Sequence, residues 1–444
     1  MTRMRDALGN TLSGASPTAS EIYGHALAEF QVYAGDPVAT VDQALAISPG
    51  FVMGHALRAW LHLLGTEPTG LPVARETLAA ARALPATAQE RGHLAAIAHL
   101  VEGDWMASSR VMEDVAIENP RDALALQVGH QIDFFTGNAR MLRDRIARAR
   151  PAWSQGMPGF HAILSMHAFG LEETADYARA EAEGRKAVEL EPRDGWGQHA
   201  VAHVLEMQNR TAEGIAWMRL NPEAWSANSF FAGHNWWHLA LYHLDRGEIE
   251  EVFALYDGPV KGGRSQVVLD LVDATALLWR LHLRGIDVGG RWAPVAEAWD
   301  AVGGAGSYAF NDWHAAMAFA AGRRQDGLDA VLEAASRAAT GAGDNAMFTR
   351  DIGMPLIRAI QAFESGDYAR AVAQLRPVRE IAHRFGGSHA QRDLIDLTLI
   401  EAAIRGGDAA LAAALAAERA AIRPHSPVSL DFSRQARSLP RLAA

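Results

Sequence analysis

The residues best suited to chemistry stand in two phrases near the middle of the chain. In GWGQHAVAHVLEMQNR, His199, His203 and Glu206 follow one another at i, i+4 and i+7. At about 100° per residue they fall within a helical stripe about 60° wide. Arg210 extends the stripe, while Val201, Val204 and Leu205 take the opposite, packing face. The phrase FAGHNWWHLALYHLDRGE repeats the device, with His234 and His238 at i, i+4 beside Asn235, Trp236, Trp237 and Tyr242. Two neighbouring helices of this kind could bring four imidazoles and Glu206 together.

Three chemistries compete for that cluster. Neutral imidazoles one turn apart, His199, His203, His234 and His238, have sound ligand geometry for Zn²⁺, which Glu206 could complete. The same groups without a metal could run acid and base catalysis of a hydrolase or lyase type, a His relaying a proton while a carboxylate orients it. The third use is structural, a buried polar network tying neighbouring helices. HAVAH has Ala200 where the HExxH helix of zinc proteases has its Glu, so that mechanism is not supported. No cofactor is required by the sequence; a divalent metal such as zinc is the one it could hold.

Further polar groups gather in later and earlier phrases: Asp270 and Asp273, then Asn311, Asp312 and His314, then His389, Gln391, Arg392 and Asp393, with His167, Glu172 and Glu173 upstream. As substrate contacts the candidates are His167, Arg210, Asn235, Trp237, Tyr242, Asp273, Asn311, His314, His389 and Arg392, with Arg210 or Arg392 suited to an anionic group. Bland uses stand beside these: Asp312 reads equally as a helix N-cap, Asp273 as solvent-facing. Trp217, Trp225, Trp236 and Trp237 read as hairpin packing before an aromatic cage. There is no P-loop, GxGxxG or GxSxG, and Gly262–Gly263 and Gly303 to Gly306 are too short to cradle a phosphate.

The elements that must position these groups are helices. Hydrophobic residues make up 49% of the chain and charged residues 21%, with 18 Pro in 444 residues, as in a folded and regular polypeptide. A net charge of −11 argues against a phosphate-backbone binder, so nucleic acid is not an expected partner. The absence of Cys removes disulfides, thiolate ligands and a Cys nucleophile together. The N-terminal residues carry two Arg without an apolar stretch after them, which is not a secretory signal, and no apolar run reaches the ~20 residues that span a bilayer. The expectation is a cytoplasmic protein without a membrane partner.

Helix-breaking phrases recur: SPGF at Ser48, NPRD at Asn119 and EPRD at Glu191. Their prolines, Pro49, Pro120 and Pro192, lie 71 and 72 residues apart, with Pro85 and Pro151 near the midpoints. That spacing is about twice the ~34-residue tetratricopeptide period, so the unit is a helical hairpin with Pro at its turn. The fold expected is all-α, a tetratricopeptide-like solenoid of stacked antiparallel hairpins in a right-handed superhelix, running as one repeat domain over 21–425 between a flexible 1–20 and a tail over 426–444. First helices of the hairpins are predicted near 21–34, 51–64, 88–102, 122–136, 157–171, 195–209, 230–246, 265–284, 308–321, 345–364 and 387–404. Val267 to Val272 is the best strand-like run, yet it continues at helical spacing and reads as helix. Gly285 to Gly306 is the expected irregularity.

Of the 18 His, all but His383 and His425 fall on these first helices, and His25, His55, His93, His130, His161, His199 and His234 recur every 30 to 38 residues. In tetratricopeptide superhelices the first helices line the concave wall, where these rings would converge; a packed and hydrogen-bonded repeat position is the plainer account of the series through His161.

The phrases HAVAHVLEMQNRTAEGIAWM, AGHNWWHLALYHLDRGE, FNDWHAAMAFAAGR and GGSHAQRD resemble the tetratricopeptide repeat protein 38 family, over about residues 20 to 430. The resemblance implies the helical array and brings no reaction with it. Its phrases overlap the polar residues named above. The function expected is a His- and carboxylate-lined pocket for a small polar molecule, with His199, His203, Glu206, His234 and His238 as its centre. The rivals are a scaffold holding a peptide or protein partner in the concave groove, and a metal-dependent enzyme. Homo-oligomer formation is left open.

Overall fold

The computed structural model describes residues 4–260 and 264–440, so Gly262 and Gly263 lie outside the described residues. Among the described residues the regular structure is helical, and β-type pairing is limited to the isolated bridges Arg5 with Thr11 and Ala34 with Ser229. Consecutive helices pack in pairs as antiparallel hairpins, the all-α repeat pattern expected. No helix among the described residues is long and apolar enough to cross a membrane.

The predicted first helices are present at Val52–Leu64, Ala88–Val101, Ala123–Phe135, Phe160–Glu172, Gly195–Met207, Ala232–Arg246, Val268–Leu283, Ala309–Ala321 and His389–Arg405. Pro49, Pro120 and Pro192 lie in the turns before three of them, where a missing N–H costs no helical bond. The stretch expected as one helix over 345–364 is interrupted by a π segment, Thr349–Gly353. Pro355, just inside the following Met354–Glu364 helix, cannot donate to the carbonyl four residues back, and the ladder widens there. The Gly-rich span from Gly285 holds a regular helix, Trp292–Val302.

Two ends differ from expectation. Pro17–Val32 begins inside the segment read as flexible, because Ser16 caps it and Pro17 takes its first turn. Pro427–Ser438 forms in the stretch read as tail, with Ser426 as cap, Pro427 at its start and Phe432 and Ala436 buried.

Packing divides the chain into two compact units. The first comprises Met1–Val201 with Asn221–Ala232, and the second Ala202–Leu220 with Gly233–Ala444. The 221–232 segment joins the first by pairing with the end of its first helix: Gly35 N donates to Asn228 O at 2.9 Å, and Phe230 N to Tyr33 O at 3.0 Å. Glycine lets hairpins close up in both units. A Cβ on Gly170 would lie 2.5 Å from the Leu142 backbone, and one on Gly214 would lie 2.3 Å from the Tyr242 ring.

In the first unit the recurring histidines tie one hairpin to the next. Asp122 caps Ala123–Phe135 through Ala125 N and also accepts from His93 Nε2 at 2.9 Å. His93 Nδ1 in turn accepts from Trp60 Nε1 at 3.2 Å, so both ring nitrogens are used. His161 Nδ1 repeats the device on Asp194 at 2.8 Å, the residue before Gly195–Met207. His130 is buried against Phe169 and Trp196, whereas His25 is exposed beside Glu29. Of the series through His161, the members His93, His130 and His161 therefore serve packing and capping.

The same unit buries one full ion pair, Arg145 on Asp133 at 2.8 Å, with Ser109 Oγ donating to Asp133 at 2.6 Å. Removing one partner strands the other charge in the core. Asp133→Ala is expected to lower unfolding free energy by about 3 to 5 kcal/mol in urea titrations, while Glu333→Ala, which removes the exposed pair with Arg337, leaves it nearly unchanged.

Candidate functional site

The second unit gathers three of the predicted histidines. His203 comes from the last two turns of Gly195–Met207, and His234 and His238 from the start of Ala232–Arg246; all three are buried. Each offers a ring nitrogen, and these atoms lie within 4.8 Å of one another. The rings of His203 and His238 are 4.5 Å apart between centroids, those of His234 and His238 5.0 Å.

Carboxylates from other helices orient two of these rings. Asp273, on Val268–Leu283, accepts from His234 Nδ1 with both oxygens, at 2.8 and 2.9 Å. Glu206 accepts from His238 Nδ1 at 3.2 Å. A proton fixed on Nδ1 leaves Nε2 as the basic nitrogen, the arrangement found behind metal-ligating histidines. Trp237 stacks on His234 at 5.3 Å, and the buried Arg280 guanidinium lies 5.2 Å from the Trp237 ring centre. Arg280 also donates to the carbonyls of Ala276 and Ala390.

Burial dominates the electrostatics. It pushes His203 well below the ordinary imidazole range, helped by His238, and does the same to His238, helped by His234 and Arg280. Burial raises the Asp273 carboxyl despite His234, and lowers Arg280 to about 10. His314, on Ala309–Ala321, is lowered to about 3 by burial; its Nδ1 donates to Phe310 O at 2.8 Å and its Nε2 is buried without a hydrogen-bond partner.

An arginine-rich shell adjoins this cluster. Glu206 lies 3.5 Å from Arg423, and Arg419 grips Asp393 with two bonds of 2.7 and 3.0 Å. Burial opposes the charge on Asp393, yet Arg419 and Arg423 hold its carboxyl well below the usual range. A cavity of about 340 Å³ is lined by His389 and Arg392 together with Arg379, Arg419 and Arg423. A smaller one of about 60 Å³ lies against Glu206, Asp245, Arg280 and Arg423. The charge of His389 is among those that depress His203.

The remaining predicted residues have other contacts. His199, one turn before His203, belongs to the first unit, stacked on Phe169 at 5.3 Å and near Trp196 and Phe231. His167 is also in the first unit, bonded to Glu183 at 2.7 Å beside a hollow of about 480 Å³ lined by Arg150 and Arg179. Arg210 does not continue the stripe: the helix ends at Met207, Asn209 turns left-handed, and Arg210 pairs with Glu213 on the surface. Tyr242 is a packing residue whose hydroxyl donates to Ala202 O at 2.5 Å. Asn235 is buried and Asn311 half-buried on their helices. Gln391 forms a capping box with Ser388. Asp312 is not an N-cap: it accepts from Gly306 N at 2.9 Å, and burial raises it to about 7.

Arg280, Arg419 and Arg423 went unnoticed in the sequence. Arg419 and Arg423 close the Ala-rich helix Ala409–Ile422, where cations near a C-terminus read as dipole partners. Their i, i+4 spacing was the available signal.

No family model matches the chain. Among solved structures, the crystal structure of the P58(IPK) TPR domain aligns over 88% of this chain and 98% of its own, at 14% identity and a TM-score of 0.20.

The neutral His314 has a measurable consequence. Its folded pKa lies below the unfolded value, so the unfolded chain binds the extra proton and stability falls as pH drops through about 6.5. Between pH 7.5 and 5.5 the wild type should lose about 1.4 kcal/mol through this group. Urea titrations of His314→Phe at both pH values should show a pH dependence shallower by that amount; equal slopes would contradict a neutral, buried imidazole.

Proposed function

We propose that this chain is a ligand-binding helical-repeat protein of the tetratricopeptide repeat protein 38 kind, and that its second unit holds a divalent transition metal on His203, His234 and His238. The observation that carries this is the meeting of three imidazoles, two of them clamped through Nδ1 by buried carboxylates. A metal-free relay needs one imidazole with one orienting carboxylate, whereas three ring nitrogens facing a common space form a ligand set. The donors suit Zn²⁺ or a neighbouring first-row ion and would leave a position for water or a ligand. When bound, such an ion supplies Lewis-acid polarisation and an acidified water, chemistry of the hydrolase or lyase type. Glu206 and Asp273 act as positioning residues, orienting imidazoles.

A second reading, a scaffold for a peptide or protein partner, is supported by the hairpin repeat pattern itself, whose commonest use is partner binding. It assigns the imidazoles to packing.

Elemental analysis of the full chain decides between them. Stoichiometric zinc, iron or manganese, lost in His203→Ala/His238→Ala and weakened about 10- to 100-fold in Asp273→Asn, is the expected result. A metal-free protein that takes up none of these ions, and whose double variant shows only lost stability, would favour the scaffold.

A further inference from the structure

We infer that the 340 Å³ cavity beside the imidazole cluster receives the oxyanion of a small molecule, a carboxylate or a phosphate, on Arg423 and Arg392. This deepens the small-molecule reading of the second unit and does not require the metal. Its volume lies at the small end of ligand pockets.

The charge balance of the walls comes first. In a chain of net charge −11, this cavity is lined by Arg379, Arg392, Arg419 and Arg423 with His383 and His389, against Asp393, Asp396 and Glu418. Asp393 is held by both terminal nitrogens of Arg419. Asp396 and Glu418 both pair with Arg379, at 2.8 and 2.9 Å. Arg419 and Arg379 thus engage the three lining carboxylates, while Arg392 donates to Gly387 O.

Arg423 is the decisive group. Its side chain is only 13% exposed, yet it reaches Glu206 at a long 3.5 Å and the weak Met207 sulfur at 3.9 Å. A guanidinium has five N–H donors in a fixed fork. Burying it with two long contacts costs desolvation that a forked oxyanion would offset. Arg423 lines both the 340 and the 60 Å³ cavities, so its donors border open space. The Arg419 Nε, on the same two walls, is buried without a hydrogen-bond partner. Asp393, Glu206 and Asp245 keep Arg423 cationic against burial. Arg392, on the first turn of His389–Arg405, faces the same space, next to His389.

The test is calorimetric titration of the full chain with inorganic phosphate and, separately, with succinate. Saturable binding of at least one is expected, weakened about tenfold or more in Arg423→Gln and in Arg392→Gln, and unchanged in Arg337→Gln. Arg423→Lys, which keeps the charge and loses the fork, should bind with intermediate affinity and covers the case in which Arg423→Gln does not fold. The arm that saturates tells phosphate from carboxylate. Absence of saturable binding in both arms, or binding indifferent to Arg423 and Arg392, overturns the proposal. Metal content of the same variants should equal wild type, so a protein that binds the anion without metal separates failure of the metal reading from failure of this one.

Discussion

An ionisable side chain buried in a stack of helical hairpins must find its complement on another hairpin, and this constraint shapes both units. Isolated burial of such groups costs several kcal/mol, while a charge-assisted hydrogen bond returns about 1.5 to 3 kcal/mol. The solution recurs as an imidazole on one helix and a carboxylate on a later one: His93 with Asp122, His161 with Asp194, His234 with Asp273. In the first unit the device also caps helices and closes on itself, since His93 uses one nitrogen on Trp60 and the other on Asp122. In the second unit the carboxylates hold the Nδ1 side and the rings turn toward each other. One pairing rule therefore yields a structural clamp in one place and a candidate site in the other.

Much of this was legible in the sequence because it rests on local geometry. Prolines between helices mark the hairpins, and the i, i+4 pair His234 and His238 needs nothing beyond helical periodicity. The limits are also local. A 100° stripe holds only while the helix lasts, and Gly195–Met207 stops before Arg210, which then turns to the surface. The partners were not legible because they depend on how helices are rotated against each other. Asp273 lies 39 residues from His234, and Arg423 lies 217 from Glu206. The i, i+7 reading of Glu206 set it on one stripe with His199 and His203, yet its bond goes to His238 on the next first helix.

The C-terminal segment shows how a weak local pattern acquires a role through packing. Ala-rich Ala409–Ile422 offers little amphipathic signal, and the stretch after it reads as tail. The two arginines at its end pair with Asp393 and Glu206. Ser426 then donates to Asp245 at 2.5 Å, anchoring Pro427–Ser438, whose Phe432 helps wall the smaller cavity.

Arg280 ties these parts together. A fully buried guanidinium is an expensive core residue, and its depressed value of about 10 measures that cost while leaving it protonated at neutral pH. Its charge adds to burial in pushing His238 and His314 down, so the imidazoles nearest the centre stay neutral. The flat face of Trp237 takes part of the charge, and the Ala276 and Ala390 carbonyls take donors. A permanent cation placed there works against a second cation forming by protonation, which a proton relay would need, and keeps the lone pairs that a ligand set would use. The same cation helps to hold Asp393 in its ionised form, so one residue acts on both the imidazoles and the arginine-lined side.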